Sequence, residues 1–473
     1  MSCNVSDSII EVLKCLNKSS IEYIHFKSTE HLDRSFNGLT DFDLLVDKTD
    51  YYKFQKFLIT HGFKKRHSTY DKVYPGMEDY LFYESDSGMV HHFHVHYELM
   101  FGKKYSKNFY LPDSNNWISG SNYHEKYPIK FISPEKEMVL LTFRILLKQT
   151  VLSVIKGFLR KQIKRTGWTF GRMLDEYQYL NIRTIDEKIN HEIKKYNSFV
   201  QKILSEFYYR FNNNNISLNF LLKSKFNIRK GLESHIRYSS KENKIITKVR
   251  SDLRNCSTSY LGAGGKLISI VGCDGSGKST LVSDLYNWLN YKLTVEKTYL
   301  GKVKSSSKKR FYSRLSRIFK FLGFHQYSKH LKDYSHIVDA EVRMKIINDS
   351  IQKGQQGIIT ITDRYPLKEF WKMESPMDGP KLSESSIYYD LERSIYRSIE
   401  DYPDILIILD VSVKESMRRK PEVHSGESNK VMLSKKVHAI KELPDMPNTL
   451  KIDTHQPYEL VLKAAKEFVW ENL

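Results

Sequence analysis

Residues 266–282 read Lys-Leu-Ile-Ser-Ile-Val-Gly-Cys-Asp-Gly-Ser-Gly-Lys-Ser-Thr-Leu-Val, and no other stretch constrains the fold as much. An apolar run of β type, Leu267 to Val271, feeds a glycine-rich loop that satisfies G-x-x-x-x-G-K-[ST] from Gly272 to Ser279. A helical pattern follows at once, with Leu281, Val282, Leu285, Trp288 and Leu289 on one face. Strand, loop and helix in that order are the setting in which such a loop binds phosphate. Glycines let successive N–H groups turn inward around a polyphosphate, and the helix N-terminus adds the positive end of its dipole. Gly272, Gly275, Ser276, Gly277, Lys278, Ser279 and Thr280 are therefore expected to cradle the phosphates of ATP. Lys278 is expected at the β- and γ-phosphates, and the Ser279 hydroxyl on Mg²⁺.

A chain of 473 residues exceeds one ordinary core, so two or three domains are expected. Its hydrophobic and aromatic content fits a folded globular protein. The formal charge of +20 invites a nucleic-acid or anionic-membrane partner. Lysine is abundant along the whole chain and no RNA- or DNA-binding motif accompanies it, so nucleic acid is not expected as the main substrate. Cys3, Cys15, Cys256 and Cys273 show neither metal-ligand spacing nor a disulfide framework, which points to a reducing cytoplasm. Cys273 fills a tolerant position of the loop and is no nucleophile. The start of the chain carries Asp7 and Glu11 without a cationic-then-apolar leader, so no secretory signal is expected. No apolar run approaches membrane-spanning length.

Three blocks follow from the pattern. In residues 1–125, strand-like runs at Tyr23–Phe26, Phe42–Val46 and His91–Tyr97 alternate with a helix at Tyr51–His61, which predicts an α+β domain. Residues 126–261 read as mostly helical. Pro134-Glu135-Lys136-Glu137 opens one helix, Met138, Leu141, Phe143 and Leu147 continue it, and Asn212–Asn215 breaks a later one. The linker Gly262-Ala-Gly-Gly265 then leads into residues 262–473, the right size for one α/β domain with a parallel sheet.

That last block holds three further features. Gly357 to Thr362 reads as a buried strand ending in Asp363-Arg364-Tyr365-Pro366. Ligands bind at the carboxyl ends of such strands, where Asp363 can hold Mg²⁺ and Arg364 can grip a phosphate with two parallel hydrogen bonds. A second buried strand, Asp404–Asp410, precedes a helix bearing Arg418, Arg419 and Lys420, which either closes over donor phosphates or is a solvated helix end. Asp274, inside the loop, is a poor neighbour for ATP phosphates. It either faces an acceptor hydroxyl or caps the following helix.

The loop with an acid at its third position, the Asp-Arg-Tyr at a strand end and the arginines after the next strand make this block resemble the thymidylate kinase family. The resemblance covers about residues 265–473 and implies ATP·Mg²⁺-dependent phosphoryl transfer. By position it implies that Asp363 works near the metal, that Arg364 contacts the acceptor phosphate and that Asp274 meets an acceptor hydroxyl. Arg418 and Arg419 would form the lid. The sequence departs from that family after the second strand, where Tyr299-Leu-Gly-Lys302 runs into a basic insert, and at Pro366 and Met377-Asp378-Gly379-Pro380. These departures point away from dTMP as acceptor and make Tyr365 and Asp378 candidates for a different one. The Asp-Arg-Tyr-Pro, Met-Asp-Gly-Pro and Arg-Lys-Pro-Glu (Arg419–Glu422) signatures resemble divergent thymidylate-kinase-like proteins of bacterial surface-polysaccharide loci. The insert, residues 302–332, carries ten Lys and Arg interleaved with Phe311, Leu315, Ile318, Phe319, Phe321 and Leu322. As an amphipathic helix it either packs its apolar face on the domain or lies on an anionic membrane or polyanionic acceptor.

In the first block, Phe26-Lys27-Ser28 followed by Asp41-Phe42-Asp43-Leu44 resembles the nucleotidyltransferase superfamily, in which a small-residue turn precedes two carboxylates on one strand. Asp41 and Asp43 share a strand face and can hold one Mg²⁺ under a triphosphate. Lys27 stands where that pattern has glycine, and the third acid is not evident; His94 occupies its place. His92, His94 and His96 share a face, which suits a transition metal or is simply a polar strand face. The expected whole is a cytoplasmic protein that transfers the ATP γ-phosphoryl group to a small metabolite, sugar or glycan, peripheral to the inner membrane face only if the insert lies on the membrane. The alternatives are a dTMP-type kinase and a nucleotide-sensing regulator with little turnover.

Overall fold

The computed structural model describes residues 8–111, 114–162, 169–181, 183–254, 257–301, 307–373, 375, 377–398, 402–421 and 426–473. Cys3, Asp7, Cys256, the start of the basic insert (302–306) and Glu422 lie outside them. The chain divides into two compact units, residues 1–257 and 258–473.

In the first unit a mixed sheet runs in the spatial order Lys64–His67, Met77–Glu84, Met89–His96, Phe42–Val46, Tyr23–His25, Lys130–Phe131, Asn122–Tyr123. Phe42–Val46 lies parallel to Met89–His96 with Asp43 opposite His94. Met77–Glu84 flanks the other side antiparallel, with Asp79 opposite the same His94. Side chains alternate across the pleat, so Phe42, Leu44, Phe93 and Val95 face one way and bury against helices Ile9–Lys18 and Tyr51–Thr60. Asp43, His92, His94 and His96 face the other way.

Seven helices lie between residues 134 and 253 among the described residues. The first, Pro134–Lys148, begins where its sequence predicts: Pro134 has no N–H to waste, and the Ser133 hydroxyl accepts from Lys136 N–H. Helix Ser198–Asn212 ends in the asparagine run, where Asn214 takes a left-handed turn at φ 52°. Ile24 and Leu45 of the sheet, and Phe26 just past its strand, share one core with Met138, Phe143, Tyr177 and Phe207 of the helices, so strands and helices of this unit fold around a common apolar centre. The expectation of cysteines without a disulfide is corrected at Cys15, which is disulfide-bonded; Cys273 is a free, buried thiol. Sequence spacing missed the bond because it needs only two Cα atoms within about 7 Å, and separation along the chain does not report that. Among the described residues no single helix is long and apolar enough to cross a membrane.

The second unit is an α/β fold with a five-stranded parallel sheet in the order Val295–Thr298, Ile359–Thr362, Leu267–Gly272, Ile405–Asp410, Thr449–Asp453. The glycine-loop strand is central because it is apolar on both faces, with Leu267, Ile268, Ile270 and Val271 all buried. Its neighbours end beside it, which brings Gly272, Asp363 and Asp410 to one edge.

Glu137 offers a test of the first unit's core. It is 2% exposed, and its carboxylate accepts from Thr29 N–H at 3.1 Å and the Thr29 hydroxyl at 2.7 Å. Burial, then the charge of Glu176, pushes its pKa up to about 7. The fold therefore favours the protonated acid, and the stability this contributes is present below the ordinary carboxylate range and is lost as pH rises toward 7. Glu137→Gln should remove that loss, worth at most about 3 kcal/mol. Thermal melts of both proteins between about pH 5 and 8 check this; parallel curves would refute it.

Candidate phosphate-binding site

Gly275 and Gly277 carry φ of +82° and +96°, which side-chain-bearing residues rarely adopt, and Gly277 is the N-cap of helix Lys278–Leu289. A Cβ on Gly272 would sit 2.6 Å from the Ser276 hydroxyl and 2.9 Å from the Leu409 carbonyl; on Gly275 it would meet the Ser416 carbonyl at 2.9 Å. The loop can close only with glycine there. Ser276 is buried and its hydroxyl lacks a hydrogen-bond partner, whereas Ser279 and Thr280 are exposed at the helix start. Lys278 folds back, donating to the carbonyls of Gly272 at 2.8 Å and Cys273 at 2.7 Å. Burial, then the nearby Arg364 charge, lowers its pKa to about 8, so an incoming polyanion would be welcome at this ammonium.

The other predicted residues assemble around the loop unevenly. Asp363 is buried, accepts from Leu300 N–H at 3.1 Å and has its pKa raised chiefly by burial. Arg364 reaches Asp378 at 3.3 Å and lies 4.0 Å from Asp274. The Tyr365 ring is 2% exposed within the core cluster, so it offers an acceptor almost no surface. Arg419 donates to the Thr454 carbonyl at 2.6 Å and the Gly275 carbonyl at 3.4 Å, which ties its helix to the loop. Arg418 points outward, its side chain 73% exposed and paired with Glu415 at 2.7 Å.

Two residues escaped sequence reasoning. Lys436, on helix Glu427–Lys441, donates to Asp274 at 2.9 Å. Burial would raise the Asp274 pKa, but Lys436, with Lys278 and Arg364, holds it below the usual carboxylate range. Arg343, buried on helix His325–Gln355, donates to the Gly301 carbonyl at 3.0 Å and the Tyr396 hydroxyl at 3.3 Å. The only sequence signal for Arg343 is a guanidinium among the apolar positions Ile337, Ala340, Met344 and Ile347.

In the first unit, Asp41 and Asp43 are drawn to different partners: Asp41 lies 2.8 Å from His92, and Asp43 pairs with Lys27 at 2.6 Å. Both acids line a cleft of about 650 Å³ with Lys27, Arg34, Arg144 and Glu176. A second cleft, about 490 Å³, is lined by Lys27, His96, Lys103, Lys107, Arg144 and Lys148. Burial and neighbouring cations lower Lys107 to about 7 and Lys148 to about 8. Arg144 and Lys148 follow one another by one helical turn, a signal hidden inside an otherwise apolar helix.

No known family profile matches the chain. YghR of Escherichia coli K12, named an uncharacterized ATP-binding protein, is 26% identical over 223 residues, 43% of this chain and 86% of YghR. YghS of the same strain, with the same description, is 28% identical over 225 residues, 42% of this chain and 90% of YghS. Among solved structures, deoxyadenosine kinase from M. mycoides with bound dATP superposes with TM-score 0.29 and 15% identity, over 43% of this chain and 98% of that one. Thymidylate kinase from Candida albicans does so with TM-score 0.32 and 18% identity, over 44% of this chain and 92% of that one. Neither superposition bears on activity.

Gly275→Ala should lower stability by about 1–2 kcal/mol through the left-handed backbone alone and should push Ser416 away. A melt together with nucleotide titration reads both effects. An unchanged midpoint and affinity would mean that the loop relaxes freely.

Proposed function

We propose that the second unit is an ATP-dependent phosphotransferase, and the observation that carries this is the glycine loop, closed only by glycine, with Lys278 buried at its mouth. The relatives' description as ATP-binding proteins supports the same reading. Loop N–H groups and Lys278 bind the donor phosphates, and Lys278 moves its charge from two backbone carbonyls to the transferring group. The acceptor oxygen attacks the γ-phosphorus as the bond to the bridging oxygen breaks and ADP leaves, and the acceptor's hydroxyl proton passes to the transferred phosphoryl group or to solvent. Asp274, kept ionised by Lys436, orients an acceptor hydroxyl, and Arg364, steadied by Asp378, grips an anionic part of the acceptor.

Mg²⁺ fits the residues at hand: the Ser279 hydroxyl is exposed beside the loop, and Asp363 is a buried carboxylate whose ionised form a cation would stabilise. Bound there, it would neutralise charge on the phosphates. The acceptor we favour is a hydroxyl-bearing sugar or glycan end, with surface-polysaccharide synthesis in a cytoplasmic setting as the context. The departures at Pro366 and Met377–Pro380 are what argue against dTMP.

Lys278→Ala should leave the fold intact by circular dichroism and lower kcat with ATP on the order of 100-fold or more. Normal turnover would remove the loop from catalysis.

Arg364→Lys loses the planar fork and should raise the acceptor KM or lower kcat while sparing ATP affinity. Equal loss of ATP binding would move Arg364 to the donor side. In a panel of acceptors dTMP should rank low; a kcat/KM for dTMP of about 10⁴ M⁻¹s⁻¹ or more would promote the dTMP-kinase alternative.

The basic insert favours an anionic surface as a second partner. Helix Ser307–Phe321 leaves Phe311 59%, Ile318 53% and Phe321 90% exposed, with Leu322 and Phe324 beside them, among Arg and Lys side chains. Vesicles containing anionic phospholipid should sediment the full chain in low salt and lose it in high salt, and Phe321→Asp with Ile318→Asp should weaken this. Binding that survives both changes would place the contact elsewhere.

A further inference from the structure

The face of the first unit's sheet opposite its apolar helices carries polar groups that the phosphotransferase reading leaves unused. Across three adjacent strands Asp43, His94 and Asp79 stand side by side in register, with His92 and His96 two positions either way on the His94 strand. Asp43, His94 and His96 each offer one ligand atom, and the three atoms lie within 4.8 Å of one another. His96 is 3% exposed, and neither of its ring nitrogens has a hydrogen-bond partner. A buried imidazole with no partner is costly to leave so, and it marks a missing ligand.

We infer that Asp43, His94 and His96 bind one divalent transition-metal ion, with Asp79 as the carboxylate behind His94. His94 Nδ1 lies 2.7 Å from the Asp79 carboxylate, which leaves Nε2 as the nitrogen able to ligate. Asp79 cannot itself serve as well, because it also holds His92 at 2.7 Å and accepts from the Ser68 hydroxyl at 2.5 Å. His92 is likewise engaged, between Asp79 and Asp41 at 2.8 Å. Two imidazoles and one carboxylate select a Zn²⁺-, Fe²⁺- or Mn²⁺-type ion, whereas Mg²⁺ prefers an all-oxygen shell. A tetrahedral ion with ligands at about 2.1 Å needs them about 3.4 Å apart, so the side chains close by at most about 1.4 Å on binding. Three protein ligands leave one position open. Asp43 and His96 line different clefts, so the ion is reachable from solvent by both. The competing cation is Lys27, whose ammonium sits 2.6 Å from one Asp43 oxygen.

The test uses the full chain, stripped by chelator and titrated with Co²⁺ as an optical probe. We expect visible d–d bands saturating at one ion per chain, displaced by Zn²⁺ and unaffected by millimolar Mg²⁺. Two variants, His96→Gln and His94→Gln, should each lose the bands while keeping the wild-type circular dichroism. Asp79→Asn should weaken binding about 10- to 100-fold. Lys27→Ala should tighten it, a change of opposite sign that damage to the fold would not produce. The inference is overturned if folded wild-type protein shows no bands, if Mg²⁺ displaces Co²⁺, or if the bands persist in either folded histidine variant. Persistence would place the ion at Ser279 and Asp363 or elsewhere.

Discussion

The second unit depends on a steric constraint: at Gly272 and Gly275 the loop has room for backbone and nothing else. Ser276, Leu409 and Ser416 crowd the places where Cβ atoms would sit on Gly272 and Gly275. That crowding turns N–H groups inward and fixes where Lys278 and the following helix begin. The central position of the Leu267–Gly272 strand then decides which other residues reach the site, since only strands beside it end at the same edge. Asp363 and Asp410 arrive by that route, and Arg419 is bound back onto the loop carbonyl of Gly275.

Charge organises what the loop leaves open. Lys278, Arg364 and Lys436 surround Asp274, while Asp363 and Asp378 temper Arg364. Burial, and after it the charge of Arg364, makes the Lys278 ammonium costly to keep, visible in its lowered pKa. A bound polyanion would offset that cost. The same logic operates in the first unit, where burial among cations depresses Lys107 and Lys148.

The two units differ in how legible they were. Local signals carried the second: a strand, a loop and a helix contiguous in sequence, and acids at strand ends. Pro134 and the asparagine run marked helix boundaries in the first unit for equally local reasons. Lys436 and Arg343 were not legible, because each meets its partner across many residues and neither lies in a motif. Tyr365 was misleading: its neighbours Asp363 and Arg364 face the site, but the chain turns and its ring enters the core.

The sequence by itself determined the phosphate loop, the alternation of strand faces and the order of helices, because each follows from spacing of two, three or four residues. Tertiary structure alone decided that Asp41 and Asp43 take different partners and that Asp79 stands behind His94. It also decided that His96 ends buried without a hydrogen bond. Those outcomes depend on strand register, which a hydrophobic pattern fixes only when all the strands are laid together.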